Sequence, residues 1–323
     1  MGKIAKIKNN RTALRQSGTA LNRNGTMHAI RRDYQLYLML VPVLIYYIIF
    51  MYKPMYGLQI AFKDYSLFKG IADSPWCGFK HFINFFNGPF FFRTFRNTLL
   101  ISIYGLLANM PAQIILALLF NELKNGAFKR TIQTISYLPH FISTVVIAGL
   151  VTNFLAPTNG MVNLILEKFG GDKIYFLTKP EYFRMIFTLM NMWAGTGFGT
   201  IIYMAALSGI DSSLYEAAII DGAGKLAQVR HVTLPGIMPT IVIMLIMSIG
   251  NLLSVGYEAI ILLYQPATYE TSDIISTYVY RSGLVEGHYD FSTAVGLFNA
   301  IIALMLTTAA NVIGRRTAEV SLW

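Results

Sequence analysis

The chain has 323 residues, 54% of them hydrophobic and 13% charged, with a formal net charge of +10. Soluble domains carry about 25% charged residues. The balance excludes a disordered chain, a coiled coil and a nucleic-acid-binding domain, and argues against a soluble enzyme. What remains is an integral membrane protein.

Six long apolar runs follow in chain order: about Leu36–Met51, Thr98–Phe120, Ile135–Leu155, Phe183–Leu207, Ile237–Leu263 and Phe291–Ile313. A hydrocarbon core of roughly 30 Å takes about 20 helical residues. Five runs meet that length. The first does so once Tyr34 and Tyr52 are counted at the interfaces. Helices close their own backbone hydrogen bonds in lipid, so the expected fold is all-α, a polytopic membrane protein with six transmembrane helices. Residues 1–33 form a basic tail ahead of a transmembrane domain over residues 34–323.

Lysine and arginine lie outside these runs, apart from Arg184 at an edge. The tail carries Lys3, Lys6, Lys8, Arg11, Arg15, Arg23, Arg31 and Arg32. Lys124, Lys129 and Arg130 follow the second run, Lys225 and Arg230 the fourth, and Arg315 and Arg316 the sixth. Fifteen of the 26 basic residues thus fall on one side. An excess of Lys and Arg in short loops marks the cytoplasmic side, so both termini are expected there. The tail reads as a topology anchor touching anionic lipid, with no nucleic-acid partner. A cleaved signal peptide is not expected, because the first run passes into Tyr52-Lys53-Pro54 without a small-residue cleavage site.

The single cysteine, Cys77, excludes an intrachain disulfide and cysteine-based metal clusters. No metal site and no catalytic constellation are expected. One acidic residue, Glu258, falls inside a run. Proton-driven transporters usually carry several such groups in their pathway. Glu258 belongs either to the water-facing mouth of its span or to a substrate pathway. The runs also hold Asn109, Gln113, His140, Ser143, Asn191, Trp193, Tyr203, Ser248, Asn251, Ser254, Tyr257 and Asn299. Amides and hydroxyls beside aromatic rings suit a sugar, and equally suit hydrogen bonds between helices. Pro139 beside His140 predicts a local kink.

Between the fourth and fifth runs, residues 208–236 read as a helix–turn–helix. Ser213 with Glu216 fits a capping box, and Gly222 and Gly224 break the helix. Gly222-Ala223-Gly224-Lys225 lacks the glycine and hydroxyl of a phosphate loop, because Ile219 and Leu226 stand at those positions. No cofactor is therefore expected in this chain. If ATP drives it, another subunit hydrolyses that ATP.

Glu216-Ala217-Ala218, three residues, Gly222, nine residues, then Val232-x-Leu234-Pro235 resembles the EAA loop of ABC importer permeases. Val232 for Ile is the one departure, and Asp221-Gly222-Ala223 also matches. The similarity runs along nearly the whole chain after the tail. Pro42, Tyr56–Tyr65 and Gly78–Phe82 look like sugar permeases of the maltose type. Leu138–Ser143, Tyr278–Arg281 and Phe291–Phe298 resemble the LplB-type polysaccharide permeases.

The resemblance implies the type I ABC importer permease fold in a bacterial plasma membrane. It implies an ATPase-coupling set of Glu216, Ala217, Ala218, Asp221, Gly222, Leu234 and Pro235. It implies a substrate pathway over His140, Asn191, Gly195, Phe198, Ser248 and Asn251 or Leu252, with Glu258 as a further pathway candidate. The implied partners are a second homologous permease, two ATPase subunits binding ATP and Mg, an extracytoplasmic solute-binding protein and an oligosaccharide. The rival readings are an ion-coupled secondary transporter or channel, and an intramembrane enzyme using Glu258 and His140.

Overall fold

Unbroken apolar sequence sets the long helices of this chain, and proline and glycine set where they stop. A computed structural model describes residues 33–253 and 255–317. The tail over residues 1–32 and Ser254 therefore lie outside the described residues. The chain divides into two units, residues 1–59 and 60–323.

In the first unit, helix α1 begins at Tyr34 and tolerates Pro42 inside its first thirteen residues. A π-helical turn follows over Tyr47–Tyr52. The helical stretch Tyr34–Phe62 spans 29 residues, longer at both ends than the run Leu36–Met51. Leu36, Leu38 and Met39 are exposed along it, as a lipid-facing surface requires.

The second unit contains α2 (Lys80–Asn87), α3 (Phe91–Glu122), α4 (Ala127–Phe141), α5 (Thr144–Phe154) and α6 (Pro180–Ser208). It continues with α7 (Ser212–Ile220), α8 (Lys225–Gly250), α9 (Tyr257–Leu263), α10 (Ile275–Tyr280) and α11 (Tyr289–Thr317). Five helices among the described residues are long and apolar enough to cross a membrane: α1, α3, α6, α8 and α11. The pair α4–α5 makes the sixth if it counts as one span.

That pair breaks the expected span over Ile135–Leu155 at the kink predicted beside Pro139. Its two arms meet at 97°. Pro139 has no N–H to continue the ladder. Ser143 then starts a new helix, its Oγ accepting from the Val146 N–H at 3.4 Å. The expected fifth span is corrected. Helix α8 stops at Gly250, and regular helix resumes only at Tyr257.

Helices α3 and α6 form the central contact. Gly197 permits α4 to lie against α6, because a methyl group there would collide with the Ser136 carbonyl. Ile101, Phe183, Phe187, Met190 and Ile260 fill one core cluster. Ala117, Tyr203, Leu207 and Ile237 fill another, nearer the α6–α7 connection. Leu107, Leu119, Leu304 and Met305 stay exposed on the long helices.

At the end of the bundle away from residues 208–236, polar groups tie the helices together. Asp273 is fully buried and receives Arg93 and Arg281, each at 2.8 Å. Thr277 donates to the same carboxylate at 2.9 Å. Asn97 donates to the Glu270 and Asp273 carbonyls and accepts from Arg184 at 2.8 Å. Burial alone would push the Arg281 guanidinium down. Its hydrogen bonds to Asp273 and the carboxylate's charge outweigh that and hold it above its ordinary value.

Asp273→Ala leaves two arginines without their buried acceptor. It is expected to destabilise the fold by about 3–5 kcal/mol, read as a lower thermal unfolding midpoint in detergent.

Candidate functional site

Two features stand apart from ordinary helix packing: an exposed loop at one end of the bundle and a polar cleft within it. The loop begins with α7. Its N-cap is Asp211, whose Oδ1 accepts from the Ser213 N–H at 2.9 Å. The Ser213–Glu216 capping box read from the sequence does not form, because the helix starts at Ser212. The Ser213 backbone N–H holds the Asp211 carboxyl below its ordinary value.

The helix ends in a Schellman turn. Ala223 N–H bonds Ala218 O at 2.9 Å and Gly222 N–H bonds Ile219 O at 3.0 Å. This closure puts Gly222 at φ +77°, where a Cβ is strained. Gln228 Nε2 then donates to the Ala223 carbonyl at 2.9 Å, and the Tyr215 hydroxyl meets Thr233 Oγ1 at 3.0 Å. Leu234 is half-buried and packs with Ile210 beside the Ile237 core, while Pro235 sits in the first turn of Leu234–Gly250. The loop is therefore rigid. Its outer surface presents Glu216, Ala217 and Asp221, with Ala218 half-buried beside them. Ile219, Ile220 and Leu226 form an apolar tip, with Ile220 86% and Leu226 83% exposed.

The cleft has a volume of about 400 Å³ and lies between α3, α6 and the end of α8. Asn109 and Gln113 line it from α3, Thr188 and Asn191 from α6, and Ser248 and Asn251 from the α8 end. No lining side chain is charged. The polar groups first serve their own helices. Asn191 Nδ2 donates to Phe187 O at 2.8 Å, Ser248 Oγ to Met244 O at 2.8 Å and Asn109 Nδ2 to Gly105 O at 3.0 Å. Asn109 Oδ1 and Thr188 Oγ1 are buried without a hydrogen-bond partner. An unpaired buried acceptor costs roughly 1–3 kcal/mol.

Residues 109–318 match the family described as binding-protein-dependent transport system inner membrane component. The chain belongs to this family. The permease is 43% identical over 290 residues to protein LplB of Bacillus subtilis, covering 90% of this chain and 91% of that protein. It is 44% identical over 284 residues to the polygalacturonan/rhamnogalacturonan transport system permease protein YteP of the same species, covering 88% of each. A solved bacterial alginate ABC transporter, in complex with an alginate pentasaccharide-bound periplasmic protein, contains a chain that is 47% identical with a TM-score of 0.85. The match covers 91% of this permease and 99% of that chain. The type I ABC permease fold follows, and the ion-coupled transporter or channel reading falls away.

Three of the pathway residues expected in the permease meet in the cleft: Asn191, Ser248 and Asn251. His140 and Phe198 do not line it, but stack on one another with ring centroids 4.0 Å apart and planes at 5°. Gly195 lies on the α6 face that carries Thr188, Asn191 and Phe198, with open space around it. Glu258 is exposed in the short helix α9 beyond the break and does not line the cleft. Sequence reading did not assign Asn109, Gln113 or Thr188 to the pathway. Their signal was polarity in an apolar run, which packing residues share.

Asp64, Cys77 and His81 bring three ligand atoms within 4.8 Å of one another. Lys80 already pairs with Asp64 at 2.7 Å, and His81 Nε2 lies 3.0 Å from the Lys63 carbonyl. Burial, aided by the Asp64 charge, pushes the Cys77 thiol up. Asp64 and His81 thus already have partners within the protein.

The depressed Asp211 carboxyl stabilises α7 above the ordinary carboxylate pKa, and this support is lost as the pH falls through the lower folded value. Amide protection over residues 211–222, taken relative to the intrinsic exchange rate at each pH, is expected to fall on acidification in the unaltered permease. In Asp211→Ala it is expected to be low already at neutral pH.

Proposed function

We propose that this permease is the non-catalytic transmembrane subunit of an ATP-driven importer of oligosaccharides, coupled to a separate ATPase through residues 208–236. The carrying observation is the rigid loop with its bare apolar tip at Ile219, Ile220 and Leu226. Three large apolar side chains held in water by a capped helix and a Schellman turn suit burial in a partner's cleft. Glu216 and Asp221 add acceptors beside that tip, and Ala217 and Ala218 allow close approach.

On this reading two ATPase subunits bind ATP and Mg, and a second homologous permease completes the pathway. A solute-binding protein delivers the sugar from outside. Support for that partner is the alginate transporter, whose structure includes a periplasmic protein. The permease sits in a bacterial plasma membrane with both termini and the loop cytoplasmic, as the basic residues of the short loops favour. ATP-driven closure of the ATPases moves the loop as one body and shifts the cleft between its two openings. Such transmission requires that ATP binding favour one conformation over the other. The uncharged cleft, lined by amides and hydroxyls, suits sugar hydroxyls and leaves binding weak enough for release.

Gly222→Pro cannot reach φ +77°. Together with Glu216→Ala, it is expected to lower uptake about tenfold or more while the permease still reaches the membrane. Normal uptake by Gly222→Pro would sink the coupling role. In a panel of neutral and uronic-acid oligosaccharides, Asn191→Ala combined with Ser248→Ala is expected to abolish transport without loss of assembly. Unchanged transport in that double variant removes the cleft from the pathway.

A further inference from the structure

A second cavity, of about 450 Å³, lies between α10, the start of α11 and Tyr257. It is separated from the cleft by the break between α8 and α9. Asn251, Leu252, Val255 and Gly256 line the cleft, and Tyr257 lines the second cavity. The carbonyls freed by the break are taken by side chains of two other helices. Ser102 Oγ donates to Leu252 O, and Asn299 Nδ2 donates to Leu253 O at 3.2 Å. Non-helical backbone at membrane depth is tolerated where it is buried or lines a cavity. Discontinuous helices of this kind build substrate sites in other transporters.

The chemistry of this cavity differs from a lipid groove. Tyr257, Tyr280 and Tyr289 supply three aromatic rings, and Tyr257 and Tyr280 lie 6.4 Å apart at 34°. Ser276 and Thr293 add hydroxyls. Thr293 Oγ1 donates to Tyr289 O at 2.6 Å, which leaves its lone pairs to accept. Asn299 Oδ1 is buried and has no hydrogen-bond partner. No lining side chain is charged. A pyranose offers C–H groups to an aromatic face and hydroxyls to the Ser276 and Thr293 hydroxyls. An acyl chain offers these hydroxyls no partner.

We propose that this cavity is a second saccharide subsite, which holds one unit of an oligosaccharide while another unit occupies the cleft across the α8–α9 break. The subsite rests on the proposed import of oligosaccharides. It makes the permease favour chains over disaccharides, because only a chain reaches both sides of the break.

The test uses the assembled transporter in proteoliposomes, with disaccharides and pentasaccharides of a neutral and a uronic-acid series. Tyr257→Ala with Tyr280→Ala is expected to raise the KM for the pentasaccharide about tenfold and to leave disaccharide uptake unchanged. Tyr280→Phe, which keeps the ring, is expected to behave nearly as the unaltered protein. Tyr257→Trp provides a binding readout in nucleotide-free transporter: its emission should change on adding pentasaccharide and not disaccharide. Equal loss for both lengths, or unchanged pentasaccharide uptake, overturns the subsite. So does quenching of that tryptophan by brominated lipid with no response to sugar. Absence of uptake of either length by the unaltered transporter overturns the proposed function itself and is read separately.

Discussion

Every backbone N–H and C=O in the apolar spans has to find a partner inside the protein, since hydrocarbon offers none. Long α-helices meet this constraint by themselves. The informative places are the two where the helix gives way. At Pro139–Ser143 the side chain of Ser143 restarts the ladder and turns the chain through 97°. Between Gly250 and Tyr257, Ser102 and Asn299 reach across from other helices to take the freed carbonyls. Both breaks are thus held by specific side chains.

The same constraint explains where polarity is affordable. Most span hydroxyls donate to a carbonyl one turn back, as Thr98 does to Thr94 and Thr152 to Ala148. They cost little and specify little. The exceptions are the buried hydroxyls of Thr188 and Thr196, which lack partners, as do the amide oxygens of Asn109 and Asn299. Around Asp273, in contrast, a full set of donors satisfies the carboxylate and fastens three segments at one end of the bundle. One end is locked by charge, the middle holds an uncharged cleft, and the other end carries a capped loop. That division suits a machine moved from one end.

Spans were legible because apolar length is a one-dimensional quantity. The family pattern at Glu216–Pro235 was legible because its spacing is fixed by a helix, a Schellman turn and a second helix start. Finer local chemistry was less so. Ser213 and Glu216 satisfy the capping-box pattern, yet Asp211 lies closer to the true helix start and takes the role. Asn191, Ser248 and Asn251 were found together, whereas the stacked His140–Phe198 pair lies outside the cleft lining. Single polar residues in apolar runs look alike in sequence, whether they pack or bind.

The sequence alone therefore determined the membrane class, the places of the apolar spans and the glycine-terminated loop, since each depends on residues near one another along the chain. Only the tertiary structure decided which amides share a cleft, which oxygens remain unpaired, and where two spans break. Those outcomes depend on distant partners, such as Ser102 with Leu252 or Asn97 with Asp273. Burial and hydrogen-bond satisfaction are properties of the packed bundle, and no local pattern in the chain carries them.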